Sequence, residues 1–259
     1  GGEARKASGG GIYALNMKMD ILNVCIEDNL AKRGGGVFLD GNTEANFLDC
    51  QIINNIADDR EWKITDFAGG QGGGIYVNAG ASIKLTDTEV SYNYVGNNEI
   101  DRMHRTVSEG GGIYLDSKIQ FEMENCSIIG NEVHSNSLDS CSGGGIYISS
   151  SDSKIDILSG RIEENKTDGA GGGIYVNAGG QPLKLFNVLI TQNEGRDLMG
   201  GGGIGCCHIG SLMAYSTNGG LITENISTRG KMNDIGFEWK LRPQSLPLRN
   251  FYGQLVEYY

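Results

Sequence analysis

The side chains most capable of chemistry fall in three stretches of the chain. Residues 56–71 carry Asp58, Asp59, Arg60, Glu61, Trp62, Lys63 and Asp66; residues 94–109 carry Asp101, Arg102, His104 and Arg105; residues 132–142 carry His134, Asp139 and Cys141. Two of the three histidines lie here, on adjacent stretches. Imidazole titrates near neutrality, so His104 or His134 can serve as acid or base, with Asp101 and Arg105 as charged partners. Solvated loops tied by mixed ion pairs account for the same residues, so they remain candidates. A second polar set is spaced one repeat apart: Asp40, Asn78, Asp116, Ser149 and Asn177. Asp40 and Asp116 then lie roughly 9–10 Å apart with Asn78 between them, an oxygen-rich column able to take a calcium ion or a sugar. Asn and Asp also suit the bend that ends a strand, which explains the column without a ligand.

These positions gain meaning only from the elements that hold them. Triple glycines begin at Gly9, Gly34, Gly72, Gly110, Gly143, Gly171 and Gly201. Each is followed by an apolar residue (Ile12, Val37, Ile75, Ile113, Ile146, Ile174, Ile204), then in six of seven cases by an aromatic. Downstream in every repeat comes an asparagine: Asn29, Asn55, Asn93, Asn131, Asn165, Asn193 and Asn225. Three residues before each stands Ile26, Ile52, Val90, Ile128, Ile162, Ile190 or Ile222. Alternation with period two marks short strands with one buried face. The pattern predicts three strands per repeat, stacked as about seven coils of an all-β, right-handed single-stranded parallel β-helix. Asparagine suits a bend because it tolerates the left-handed conformation, and its amide can bond to the amide one coil away. The glycine runs permit positive φ and close backbone approach.

If Ile12 and Ala14 face inward, the aromatics Tyr13, Phe38, Tyr76, Tyr114, Tyr147 and Tyr175 face outward, about 4.8 Å apart. They are expected to stack on one another; with Trp62 they also offer a platform for sugar rings or for another subunit. Cys50 and Cys126 fall in an inward column, and Cys25 one place outward of it. Lys84 and Glu122, and Asp156 and Lys184, are expected as opposite-sign neighbours on successive coils. Asn125, Asn165 and Asn225 head N-glycosylation sequons.

With GGGI(Y) and [I/V]xxN in each coil, residues 9 to about 228 resemble the repeats of chlamydial-type polymorphic membrane proteins and autotransporter passenger domains, within the pectate-lyase-like group. Those families pair a GGA-I/L/V motif with F-x-x-N; here isoleucine or valine replaces the phenylalanine. The resemblance implies a β-helix displayed at a cell surface.

The expected organisation is a β-helix over 1–229 and a non-repeat cap or docking arm over 230–259, which holds Phe237, Trp239, Phe251, Tyr252, Tyr258 and Tyr259. The distance from asparagine to the next glycine run is long in three successive coils. Loops at 56–71, 94–109 and 132–142 should therefore leave one corner and form a lateral wall. Residues 1–8 look too short and polar to cap the first coil, which points to end-to-end self-association or to a longer solenoid. A net charge of −11 disfavours nucleic acid and anionic membranes, and no apolar run is long enough for a spanning helix. The expectation is a secreted or cell-surface, non-catalytic module, adhesin-like or fibre-forming, with a protein or polysaccharide as partner and no cofactor. The alternatives are a polysaccharide lyase or glycoside hydrolase, and a carbohydrate-binding module using the ring column.

Overall fold

A computed structural model describes residues 1–58, 68–96, 107–135, 141–149, 152–177, 183–196, 201–206, 220–228 and 234–237. Among these, every strand pairing is parallel and links one coil to the next, as a parallel β-helix requires. Among the described residues the coils build four sheets, not three. The strand after each glycine run enters an eight-stranded first sheet, with Ile75, Ile113 and Ile146 in direct register. The middle strand, such as Ser82–Thr86, enters the second sheet, and the strand before the asparagine, such as Glu89–Ser91, the third. The strand missed in the sequence follows the asparagine, as in Leu30–Arg33, and builds the fourth sheet. It was hidden because in most coils it is only two or three residues long, too short to show an alternation.

The core is a set of aliphatic columns. Val37, Ile75, Ile113, Ile146, Ile174 and Ile204 are fully buried, and Phe47, Leu85 and Met123 fill the second-sheet side. Cys50 and Cys126 lie in this core as expected, and burial pushes the Cys126 thiol up to about 11. Cys25 is exposed.

The two sequence motifs meet across the coil. A Cβ on Gly36 would come within 2.9 Å of the Asn55 amide nitrogen and 2.8 Å of the Gly74 carbonyl oxygen, so the third glycine makes room for the asparagine. The first glycine turns the chain, with φ of 58° at Gly34. The asparagines are buried, and each donates its backbone N–H and its Nδ2–H to the Oδ1 of the next, as from Asn93 to Asn131 at 3.0 and 2.9 Å. Nδ2 also donates to a carbonyl of the preceding coil, Ile52 in the case of Asn93. The left-handed residue is the one before: Asp28, Asn54, Tyr92, Gly130, Glu164, Gln192 and Glu224 have positive φ, while the ladder asparagines do not. Their role is hydrogen bonding, and conformational tolerance is needed one position earlier.

The ladder is closed at both ends. The Gly2 N–H donates to Asn29 Oδ1 at 2.6 Å, and Asp234 Oδ1 accepts from Asn225 Nδ2 at 2.9 Å. Ile235–Phe237 then pairs with Ile204–Cys206 as the eighth strand of the first sheet, so the repeat continues past 229. The other residues of the expected cap lie outside the described residues. At the opposite end Glu3–Ser8 pairs with Leu30–Arg33, which adds a strand where only a polar lead was expected.

Candidate functional site

The three long stretches interrupt a strand; they do not leave a corner. In the first coil Leu30–Arg33 is continuous, pairing through Ala31 with Ala57 and through Arg33 with Gln71. The second coil places residues 58–70 where the first has Lys32 alone. The same split recurs, so the outgoing strands Ile56–Ala57, Tyr94–Gly96 and Glu132–His134 form one ladder. The returning strands Ala68–Gln71, Val107–Glu109 and Cys141–Ser142 form another. The roots of three insertions therefore lie side by side in the fourth sheet. Trp62, Asp101, His104 and Arg105 lie in them, outside the described residues.

On the outgoing side the described residues form a charged network across three coils, with an aromatic ring from a fourth. His134 Nδ1 is 3.0 Å from Asp168 Oδ2, and its Nε2 is 3.1 Å from Glu132 Oε2. Arg196 donates to Asp168 Oδ1 at 2.9 Å and lies 3.6 Å from Glu194. The Tyr94 ring packs against the imidazole at 5.6 Å. The Asp168 hydrogen bond, and then that of Glu132, hold the His134 pKa above its ordinary value against the opposing effect of burial. Burial alone would raise Asp168, but the His134 contact and Arg196 bring it below the usual carboxylate range. With a carboxylate on each nitrogen, the imidazole is favoured as a cation and offers no lone pair to a substrate. His134 thus joins Glu132, Asp168, Glu194 and Arg196, none of which stood out in the sequence. The signal was present as three outward fourth-sheet positions, 134, 168 and 196, but it depended on a strand too short to recognise.

On the returning side the aromatics do stack. Centroids of Tyr13, Phe38, Tyr76, Tyr114, Tyr147 and Tyr175 follow one another at 5.6, 4.9, 4.6, 5.1 and 5.6 Å, nearly parallel. The expected open platform is corrected: the rings from Phe38 to Tyr175 are buried, and only Tyr13, at 51%, is exposed. They lie between two polar columns. One is Arg33, Gln71, Glu109 and Ser142, from the fourth sheet; the other is the predicted Asp40, Asn78, Asp116 and Ser149. The Arg33 guanidinium lies 5.7 Å from the centre of the Tyr76 ring. Burial raises the Glu109 carboxyl, opposed by hydrogen bonds from Tyr147 and Gln71, the latter at 2.8 Å.

The Asp40–Asn78–Asp116 column is occupied by hydrogen bonds. Asp40 accepts from Asn78 at 2.7 Å, from the Tyr13 hydroxyl at 2.9 Å and from the Gly41 N–H. Asp116 accepts from the Tyr76 hydroxyl at 3.1 Å and from the Ser117 N–H. Among the described residues, no three His, Cys, Asp or Glu side chains converge to hold a metal ion. The Gly41 and Ser117 N–H contacts are those of a bend, and the remaining bonds tie the aspartates to Asn78 and to the ring column.

The second sheet carries a shallow groove of about 150 Å³ bordered by Asn46, Lys84, Glu122, Lys154 and Asp156. Lys84 pairs with Glu122 at 2.6 Å as expected, while Asp156, in register with Lys184, is 3.1 Å from Lys154. Of the three sequon asparagines, Asn165 and Asn225 are buried ladder members, which leaves only Asn125 exposed.

The family model described as right handed beta helix region matches residues 11–225, which span the four sheets and the whole asparagine ladder. The chain belongs to the right-handed β-helix family. No curated protein and no solved structure matches this β-helix.

Proposed function

We propose that this β-helix is a non-catalytic extracellular surface module, adhesin-like, which engages a polysaccharide or protein partner through its lateral face. One observation supports the reading above the rest. The roots of three consecutive insertions are hydrogen-bonded to one another in two parallel ladders, so their sequences are presented together on one rigid support. The polar groups beside them are engaged with each other, as a scaffold needs and a poised base does not. Replacing residues 59–67, 97–106 and 136–140 with short Gly-Ser connections tests it. The β-sheet circular dichroism should persist while retention on the partner surface is weakened. Unchanged retention, or turnover of polysaccharide by the purified chain, would overturn the reading.

End-to-end self-association belongs to the same proposal. Met17 and Val24 are 45% and 38% exposed at the first coil, whereas their counterparts Thr43 and Cys50 in the second coil are buried. Apolar ends of this kind favour addition of another coil. Light scattering checks it, and a strict monomer at high concentration would remove this part.

Polysaccharide cleavage is a second reading, favoured by the contrast between Glu109, raised by burial, and Asp40, lowered chiefly by the Asn78 hydrogen bond. A carboxyl raised in this way suits a general acid. A Glu109→Gln variant that abolished measurable cleavage would establish it.

A further inference from the structure

Among the described residues Tyr92 is the most exposed aromatic side chain, and it lies away from the ring column, at the bend between the third and fourth sheets. Tyr92 sits there with φ of 54°. The same bend in the other coils is made by Asp28, Asn54, Gly130, Glu164, Gln192 and Glu224. Glycine and asparagine accept the left-handed region readily, and a bulky tyrosine does so only at a cost. Burial does not offset that cost, because Tyr92 is 57% exposed. Glu164, Gln192 and Glu224 hold the same φ at this bend, so the coil imposes the conformation, and what sets Tyr92 apart is the exposed ring it carries there.

The neighbouring coil is shaped to receive the ring. A Cβ on Gly130 would come within 2.7 Å of the Tyr92 ring, so the ring lies across that bend and is fixed in orientation. On the third-sheet side run Ile53, Ser91 and Ile129 in register; on the fourth-sheet side run Ile56, Tyr94 and Glu132. Tyr94 folds over Gly96, where a Cβ would come within 2.6 Å of its hydroxyl oxygen, and turns toward His134. The result is a half-exposed aromatic and aliphatic platform bordered by Asn54, Glu89 and Glu132.

Its charge selects among ligands. The outward positions of the third- and outgoing fourth-sheet strands in coils two to four include Glu89 and Glu132 and no lysine or arginine; the one cationic group among them, His134, is held between Glu132 and Asp168, and Lys166 lies beside Glu132 in the next coil. A uronate or sulfated sugar would be repelled. A neutral pyranose fits, its C–H face on the ring and its hydroxyls meeting the carboxylates and the Asn54 amide. We infer that Tyr92 and its surroundings form a binding subsite for a neutral hexose unit of a glycan chain. This rests on the reading of the chain as a surface-binding module, and locates one contact outside the insertions.

The test measures binding of a soluble neutral glucan, with polygalacturonate as the anionic comparator, by affinity electrophoresis and calorimetry. Tyr92→Asn places at this bend the residue that Asn54 already provides one coil earlier, so the fold should be kept and the melting temperature should not fall. Glucan affinity should drop at least tenfold, while the chain with Gly-Ser in place of the three insertions should keep it. Unchanged affinity in Tyr92→Asn, preference for polygalacturonate, or no retention of glucan by the wild type each overturns the subsite. Loss in the insertion-replaced chain alone overturns the subsite and leaves the surface-module reading standing.

Discussion

The two polar flanks of the fourth sheet differ in kind. Beside the returning strands the rings of the first sheet repeat from coil to coil, while the fourth-sheet positions Arg33, Gln71, Glu109 and Ser142 differ and are tied to that ring column and to each other through the Arg33–Tyr76 and Gln71–Glu109 contacts. On the outgoing side nothing repeats. Tyr94 is followed by Glu132 and Lys166, and Gly96 by His134, Asp168 and Arg196, so stabilisation comes from unlike neighbours. Repetition suits a residue whose own copy is its best partner, as with asparagine amides and stacked rings. The outgoing face, with Tyr92 at its margin, is the one on which we propose contact with other molecules.

The comparison can be broken by mutation. Asn131→Ala should show the largest effect, because it leaves the Asn93 N–H and Nδ2–H without their acceptor inside the core. At about 1–3 kcal/mol for each unmet donor, a loss of about 4 kcal/mol is expected in urea unfolding. A loss below 1 kcal/mol would show that the ladder is replaceable by relaxation or water.

Tyr114→Ala removes a buried ring from the middle of the stack and should cost roughly 3 kcal/mol. Tyr13→Ala removes the exposed end ring and should cost only about 0.5 kcal/mol. Equal costs for the two would mean that burial does not govern the column.

The outgoing network should announce itself through pH. Since the folded state raises the His134 pKa, its contribution is fully present below the unfolded value of about 6.5 and is lost as pH rises through the folded value. Asp168 has the opposite sign: lowered in the folded state, it contributes above about 3.9 and is lost as pH falls through its folded value. The melting-temperature gap between wild type and His134→Gln should therefore narrow on going from neutral to alkaline pH. Because the imidazole is more than a third exposed, solvent screening keeps the effect small. A gap that widens with pH would assign the stabilisation to the neutral ring.

Lys84→Ala marks the lower end. Its pair with Glu122 lies on the open face of the second sheet, with both side chains substantially exposed. A loss below about 1 kcal/mol, shrinking further in salt, is expected. A larger, salt-insensitive loss would make the second-sheet groove part of the rigid frame.

What the chain reveals of itself follows the same division. Its recurring glycines, aliphatics and asparagines determined the coil, the inward columns and the amide ladder, since in a solenoid identical positions become spatial neighbours and their spacing can be read directly. Strand number per coil escaped because the fourth strand is too short to carry a period. The face of the ring column was legible in Tyr76 and Tyr114, but not its burial, because the flanking Arg33, Gln71 and Glu109 arrive from another sheet. The meeting of His134 with Asp168 and Arg196, and the strained backbone of Tyr92 above Gly130, were decided by folding alone. These residues differ from their counterparts in neighbouring coils, and unlike residues reveal their partnership only when the stacking of coils brings them within reach.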